Sequence, residues 1–232
     1  MRITLLILVI TAAAAWCVQG TVSLGGMVTS GNSDVIQLDS GLEITEKPSE
    51  AMELGFTFLA SYGSQDDAVY LEKYLTEVRA EYSISERNFA SARTYWTRDE
   101  FAGISHEYGG IAGLGRRLLS SGSFMTALEA GGGYLSRENT AQEELNTATW
   151  YAGMEMEWSP SSEWKLNETA TVKGDFNDSD NYYIGSLLEA TSTITGNLSL
   201  STSFQVEHYN VPPVQGNEKT DTALKVQLRL GF

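Results

Sequence analysis

Beyond residue 20, apolar and polar side chains alternate with a period of two. The clearest run is the last: Leu224, Val226, Leu228, Leu230 and Phe232 share one face, and Lys225, Gln227 and Arg229 share the other. Successive side chains point to opposite sides of a strand, so this run predicts a ribbon with one apolar and one polar face. The pattern recurs upstream. Ala148, Trp150, Ala152, Met154, Met156 and Trp158 interleave with Thr147, Thr149, Tyr151, Gly153, Glu155 and Glu157. Met52, Leu54, Phe56, Phe58, Ala60 and Tyr62 interleave with Glu53, Gly55, Thr57, Leu59 and Ser61. About twelve strands are predicted, at 21–30, 33–44, 51–62, 69–82, 88–98, 105–117, 124–136, 145–158, 163–176, 181–193, 198–209 and 220–232. Each approaches the ~9 to 11 residues that a tilted strand needs to cross a bilayer.

The connections alternate in character. Thr45 to Glu50, Ser83 to Arg87, Leu118 to Ser123, Ser159 to Ser162 and Ile194 to Asn197 read as tight turns, with Pro48, Gly122, Pro160, Gly196 and Asn197 among them. The other set carries acids: Asp66-Asp67, Glu138 to Glu144 and Asp178 to Asp180, plus a longer segment, Val211 to Lys219, held extended by Pro212-Pro213. A soluble sandwich strand has the same alternation. Aromatic placement separates the two. Tyr62, Tyr70, Tyr82, Trp96, Tyr108, Tyr134, Trp150, Trp158, Trp164 and Tyr182 fall on the apolar face near strand ends. Amphipathic rings there suit the two membrane–water boundaries. The predicted fold is all-β: a single antiparallel up-and-down transmembrane β-barrel, with both termini on the periplasmic side. Glu168 fits badly, because it falls on the lipid face well inside its strand. A bulge, a register change or protonation would accommodate it.

Residues 1–20 read as a secretory signal: Arg2, an apolar run from Ile3 to Ala15, then small residues. Cleavage after Gly20 is expected, with Ala13-Ala14-Ala15 as the rival site, leaving 21–232 as the barrel. Cys17 follows Trp16 where a lipid-modified cysteine follows a small residue, so lipidation is not expected. The net charge of −15, from 30 acidic and 15 basic residues, argues against nucleic-acid binding, which needs a basic face.

The polar face defines a candidate lumen. Asp39, Glu43, Glu53, Glu77, Glu81, Glu107, Glu129, Glu155, Glu157, Asp175, Glu189 and Glu207 point inward, as do Lys73, Arg79, Arg93, Arg117, Lys165, Lys173, Lys225 and Arg229: twelve acids against eight bases. The twelve candidate lining residues are Lys73, Glu77, Arg79, Arg93, Glu129, Glu155, Glu157, Lys173, Glu189, Glu207, Lys225 and Arg229. Opposite charges at close range across a narrow bore cross-link it, so a closed or nearly closed lumen is preferred to a cation-preferring path. Gly113, Gly115, Gly131 and Gly133 leave a smooth inner patch, read as a sharp bend of the wall rather than a solute site. His106 and His208 are the only histidines. Ser105 and His106 are adjacent and so point apart, which argues against serine hydrolysis of lipid. No catalytic residue, cofactor or metal site is expected; zinc spacing is lacking, and Asp178-Ser179-Asp180 lacks the calcium-loop pattern.

Several short motifs run along the chain: Gly31-Asn32-Ser33-Asp34, Arg98-Asp99-Glu100-Phe101-Ala102-Gly103, Gly113-Leu114-Gly115, Leu128-Glu129-Ala130-Gly131-Gly132-Gly133-Tyr134, Asp180-Asn181-Tyr182, Pro212-Pro213 and Lys219-Thr220-Asp221-Thr222. In this order, over residues 21–232, the chain resembles the salt-induced outer membrane protein family (YdiY-like), whose function is not established. The resemblance implies an outer-membrane location and a link to salt stress, and it supplies no catalytic residues. The expected partners are outer-membrane lipid and lipopolysaccharide, small ions, and the barrel-insertion machinery reading the terminal Phe232. The reading is a non-enzymatic barrel. A small cation-preferring porin and a lipid-modifying outer-membrane enzyme are the alternatives.

Overall fold

The computed structural model describes residues 19–29 and 35–232. The proposed signal up to residue 18, Cys17 and the Gly31-Asn32-Ser33-Asp34 motif lie outside the described residues. Twelve strands form one ring: β1 (Gln19–Thr29), β2 (Val35–Ser49), β3 (Met52–Gln65), β4 (Ala68–Ser83), β5 (Asn88–Asp99), β6 (Ile104–Ser121), β7 (Phe124–Asn139), β8 (Glu144–Ser161), β9 (Trp164–Asp175), β10 (Tyr182–Thr195), β11 (Leu198–Tyr209) and β12 (Thr220–Gly231). Each strand pairs antiparallel with its sequence neighbours, and β1 closes the ring on β12. Phe232 and Gly20 exchange two backbone hydrogen bonds, of 2.9 and 3.0 Å, at the seam. Gly20, which cleavage after Gly20 would remove, is therefore part of the closure, and Gln19 pairs with Thr45 of β2. The seam is short. Among the described residues β1 meets β12 from the Gly20–Phe232 bonds to Gly25↔Gln227, whereas β1 and β2 pair from Gln19↔Thr45 to Thr29↔Val35.

Burial is inverted relative to a water-soluble protein. Leu24, Leu114 and Leu224 are 64–70% exposed, while Glu107 and Ser201 are 2% and 1% exposed. The apolar face points outward and the polar face fills the lumen, as a transmembrane barrel requires. Outward Tyr62, Trp96, Tyr108, Tyr134, Trp150 and Tyr182 lie toward one rim, and Tyr82, Trp158 and Trp164 toward the other. Trp96 Nε1 donates to His106 Nδ1 at 3.3 Å within the first girdle.

Four expectations are corrected. Tyr70 points inward, not toward lipid. The register shifts between Gly63 and Ser64, which turns the ring over Gly63, and its hydroxyl donates to Gln37 Oε1 at 3.1 Å. At the end of the barrel that carries both termini, β2, β6 and β8 run on to Ser49, Ser121 and Ser161, leaving two-residue turns where longer ones were expected. Register irregularities at Glu46/Ser49 and Trp158/Ser161 absorb Pro48 and Pro160, since a bulge tolerates a residue that has no N–H to give; a third, at Arg117/Leu119, holds no proline. β7 reaches Asn139 and β5 reaches Asp99, which brings Arg137 and Asp99 into the wall. Finally, neither a bulge nor a register change rescues Glu168. It pairs in unbroken register with Met156 and Leu188, and Ser186 Oγ donates to its carboxylate at 2.8 Å on the same outer face.

The glycine patch is a bend. A Cβ on Gly113 would lie 2.8 Å from the Ala130 carbonyl oxygen, and one on Gly131 would strike the β6 backbone. The inner surface of β6 and β7 is too tightly curved for side chains there. A single serine compensates little for a carboxylate facing hydrocarbon. Glu168→Leu is therefore expected to raise the unfolding free energy by about 1 kcal/mol. The check is the urea midpoint of the heat-modifiable gel band; a lowered midpoint would mean that the Glu168–Ser186 pair supports the wall.

Candidate functional site: the charged lumen

Alternation places all twelve candidate lining residues inside the ring, and the curvature of a twelve-strand wall brings strands that are distant in sequence within ion-pair reach. The half of the lumen nearer the termini centres on Arg79 of β4; the opposite half is termed outer. Its guanidinium reaches Glu155 on β8 at 2.5 Å, four strands away around the ring, and Glu81 and Glu129 at 3.2 and 3.8 Å. Glu129 also binds Arg93 at 2.9 Å and the Ser91 hydroxyl, and Arg117 pairs with Glu81. Arg93 lies 4.7 Å over the Tyr151 ring. On the opposite wall, Arg229 of β12 joins Glu43 on β2 at 2.6 Å and Glu189 on β10 at 2.7 Å.

The outer half centres on Glu107. Arg137 Nε donates at 2.6 Å, Lys173 Nζ at 3.0 Å and the Tyr95 hydroxyl at 2.9 Å. Lys173 is sandwiched between the Tyr95 and Tyr183 rings, 5.0 Å from each centroid. Tyr183 donates to Glu207 at 3.1 Å, Glu207 binds Lys73, and Lys73 reaches Asp99 at 3.1 Å. One connected network thus joins β4, β5, β6, β7, β9, β10 and β11. Tyr95 and Tyr183 lie over Gly109 and Gly185, whose lack of a side chain makes room for a ring inside the bore. Nearby, Lys225 of β12 binds Asp39 at 2.9 Å and Ser61 at 2.9 Å.

Not every candidate joins these networks. Glu157 pairs with Lys165 at 2.7 Å where both are more than two-fifths exposed, and Glu77 makes no ion pair among the described residues. Sequence reading missed Arg137, Asp99, Tyr95, Tyr183 and Tyr209. The first two lay past the predicted strand ends. The tyrosines carry the inward parity of their strands, which was signal enough to find them.

A family model described as "Protein of unknown function, DUF481" matches residues 22–232. The chain belongs to this family. No curated protein matches it. Three solved structures share the architecture of this DUF481 barrel. They are an outer membrane channel from Pseudomonas putida F1 (TM-score 0.56, 10% identity, covering 93% of this chain and 95% of that one), the translocator domain of the autotransporter NalP from Neisseria meningitidis (0.52, 12%, 93% and 87%) and the NanC porin (0.51, 9%, 91% and 97%). At such identities they show the fold alone: a closed outer-membrane-type barrel.

Both histidines of the DUF481 barrel are engaged by other side chains. His106 Nδ1 accepts from Trp96 Nε1, and His208 Nδ1 lies 2.8 Å from the Thr220 hydroxyl. The chemistry of the lumen is charge pairing. Glu107 holds two cations at once, so Glu107→Ala would leave Lys173 and Arg137 buried without a counter-charge. That substitution is expected to cost about 3 kcal/mol in a urea titration, whereas Glu157→Ala at the exposed rim costs about 0.5 kcal/mol. Equal losses would remove the distinction between network and rim.

Proposed function

We propose that this protein is a non-enzymatic barrel of the outer membrane whose lumen is held shut by ion pairs at ordinary salt and passes only small ions when they loosen. The observation that carries this reading is the pair of chords across the bore: Arg79 to Glu155, four strands apart, and Lys73 to Glu207, five strands apart. Each chord puts two large side chains where a solute would pass. Salt acts directly on such a closure. The screening length falls from about 8 Å at 0.15 M to about 3 Å at 1 M, which weakens the exposed pairs first. This links the lumen to the salt-stress role that the family resemblance implies. Lipid and lipopolysaccharide surround the apolar wall in this reading, and Phe232, whose ring covers Gly20 at the seam, is the group read by the insertion machinery.

The part that Gly20 takes in ring closure, with Gln19 paired to Thr45 beside it, supports export cleavage at the upstream site, after Ala15. The mass of the mature chain purified from outer membranes is expected to include Gln19 and Gly20; a mature chain starting at Thr21 would refute this.

Conductance across a planar bilayer tests the closure. The refolded wild type is expected to give few or no steps in 0.15 M KCl and small steps at 1 M. The Arg79→Ala, Lys73→Ala double variant, checked for folding by heat-modifiable migration, is expected to give cation-selective steps several times larger. Large wild-type steps at low salt, unchanged by the substitutions, would sink the proposal.

A further inference from the structure

The outer half of the lumen contains a cavity of about 430 Å³ that the ion-pair closure does not use. It lies against the outer half of β12, from Asp221 to Lys225, where β12 pairs with β11. Two elements roof it. The β5–β6 connection brings Phe101 and Ala102 to its lining. The β11–β12 connection, residues 210–219, reaches the far side of the ring. Asn139 Nδ2 donates to the Pro213 carbonyl at 2.8 Å, Asn217 Nδ2 to the Phe101 carbonyl at 3.3 Å, and the Val214 side chain sits where a Cβ on Gly103 would be. The volume falls within the ~300 to 1,000 Å³ typical of small-molecule sites.

The lining chooses the chemistry. Both of its lysines are already committed, Lys73 to Asp99 and Glu207, and Lys225 to Asp39. Asp221 also lines the cavity and makes no ion pair among the described residues. The unmatched charge is therefore negative, and an anion entering would find no free cation. Two aromatic side chains complete the lining, Phe101 and Tyr70, the latter turned inward by the β3–β4 bulge. A carboxylate beside aromatic rings in a partly enclosed space is the arrangement that holds an ammonium group, through charge and through the ring faces. We infer that this cavity is a binding site for a small organic cation, with Asp221 as the counter-charge and Tyr70 and Phe101 as the walls. The inference is independent of whether the lumen conducts.

Titration calorimetry on the refolded full barrel in detergent tests it, with choline chloride as the probe and sodium acetate and glucose as controls. Choline is expected to bind at one saturable site, and acetate and glucose are expected to give no saturable heat. Asp221→Asn is expected to weaken choline binding at least tenfold, and Tyr70→Leu at least threefold, in protein that keeps its heat-modifiable migration. Absence of saturable choline binding, binding untouched by both substitutions, or equal binding of acetate or glucose would each overturn the inference. A wild type that binds choline but conducts freely would overturn the closure reading and leave this one standing.

Discussion

Everything in this barrel depends on backbone hydrogen bonding where there is no water to help. An unpaired N–H or C=O in hydrocarbon costs several kcal/mol, so strands can cross the bilayer only as a closed ring. The ring closes where β1 meets β12, through the rungs from Thr21↔Gly231 to Gly25↔Gln227 and the reciprocal bonds of Gly20 and Phe232. Once it is closed, the alternation of side chains does the rest. One parity faces lipid and the other is trapped inside, with no third place to go.

The trapped parity explains the lumen. A bore built from twelve strands is wide enough to admit long charged side chains and narrow enough that they reach one another. Arg79 and Lys173 therefore find carboxylates on strands far away in sequence rather than solvent. Such pairs add little net stability when measured against an apolar filling, because desolvation offsets attraction. Their effect is to make the interior specific and jointly dependent: Glu107 alone holds Arg137, Lys173 and Tyr95 in place. The glycines beneath Tyr95 and Tyr183 belong to the same arrangement, since rings fit inside only where the wall behind them is bare.

Departures from the alternation mark the places where the barrel is not merely a wall. The bulge between Gly63 and Ser64 takes Tyr70 from lipid and gives it to the outer cavity. The irregularities at the termini-bearing end lodge Pro48 and Pro160. Glu168 is a departure in chemistry rather than geometry: the ladder runs straight through it, and Ser186 is its partner.

Strand number, closure into a barrel, the lipid face and most of the inward charges were legible in the sequence, because parity is a local property that a chain carries with it. Leu224 to Phe232 shows this on nine residues. Which charge meets which was not legible. Arg79 and Glu155 are 76 residues apart, and Lys73 and Glu207 are 134 apart, so their meeting depends on ring curvature and register summed over several strands. Arg137 and Asp99 were lost because strand ends are set by pairing with a neighbour rather than by a residue's own preference. The roof over the outer cavity, with residues 210–219 reaching Asn139 and Phe101, exists only once opposite sides of the ring face each other. The sequence determined which way each side chain points, since that follows from counting by two; the tertiary structure decided what it touches, since that follows from closing the circle.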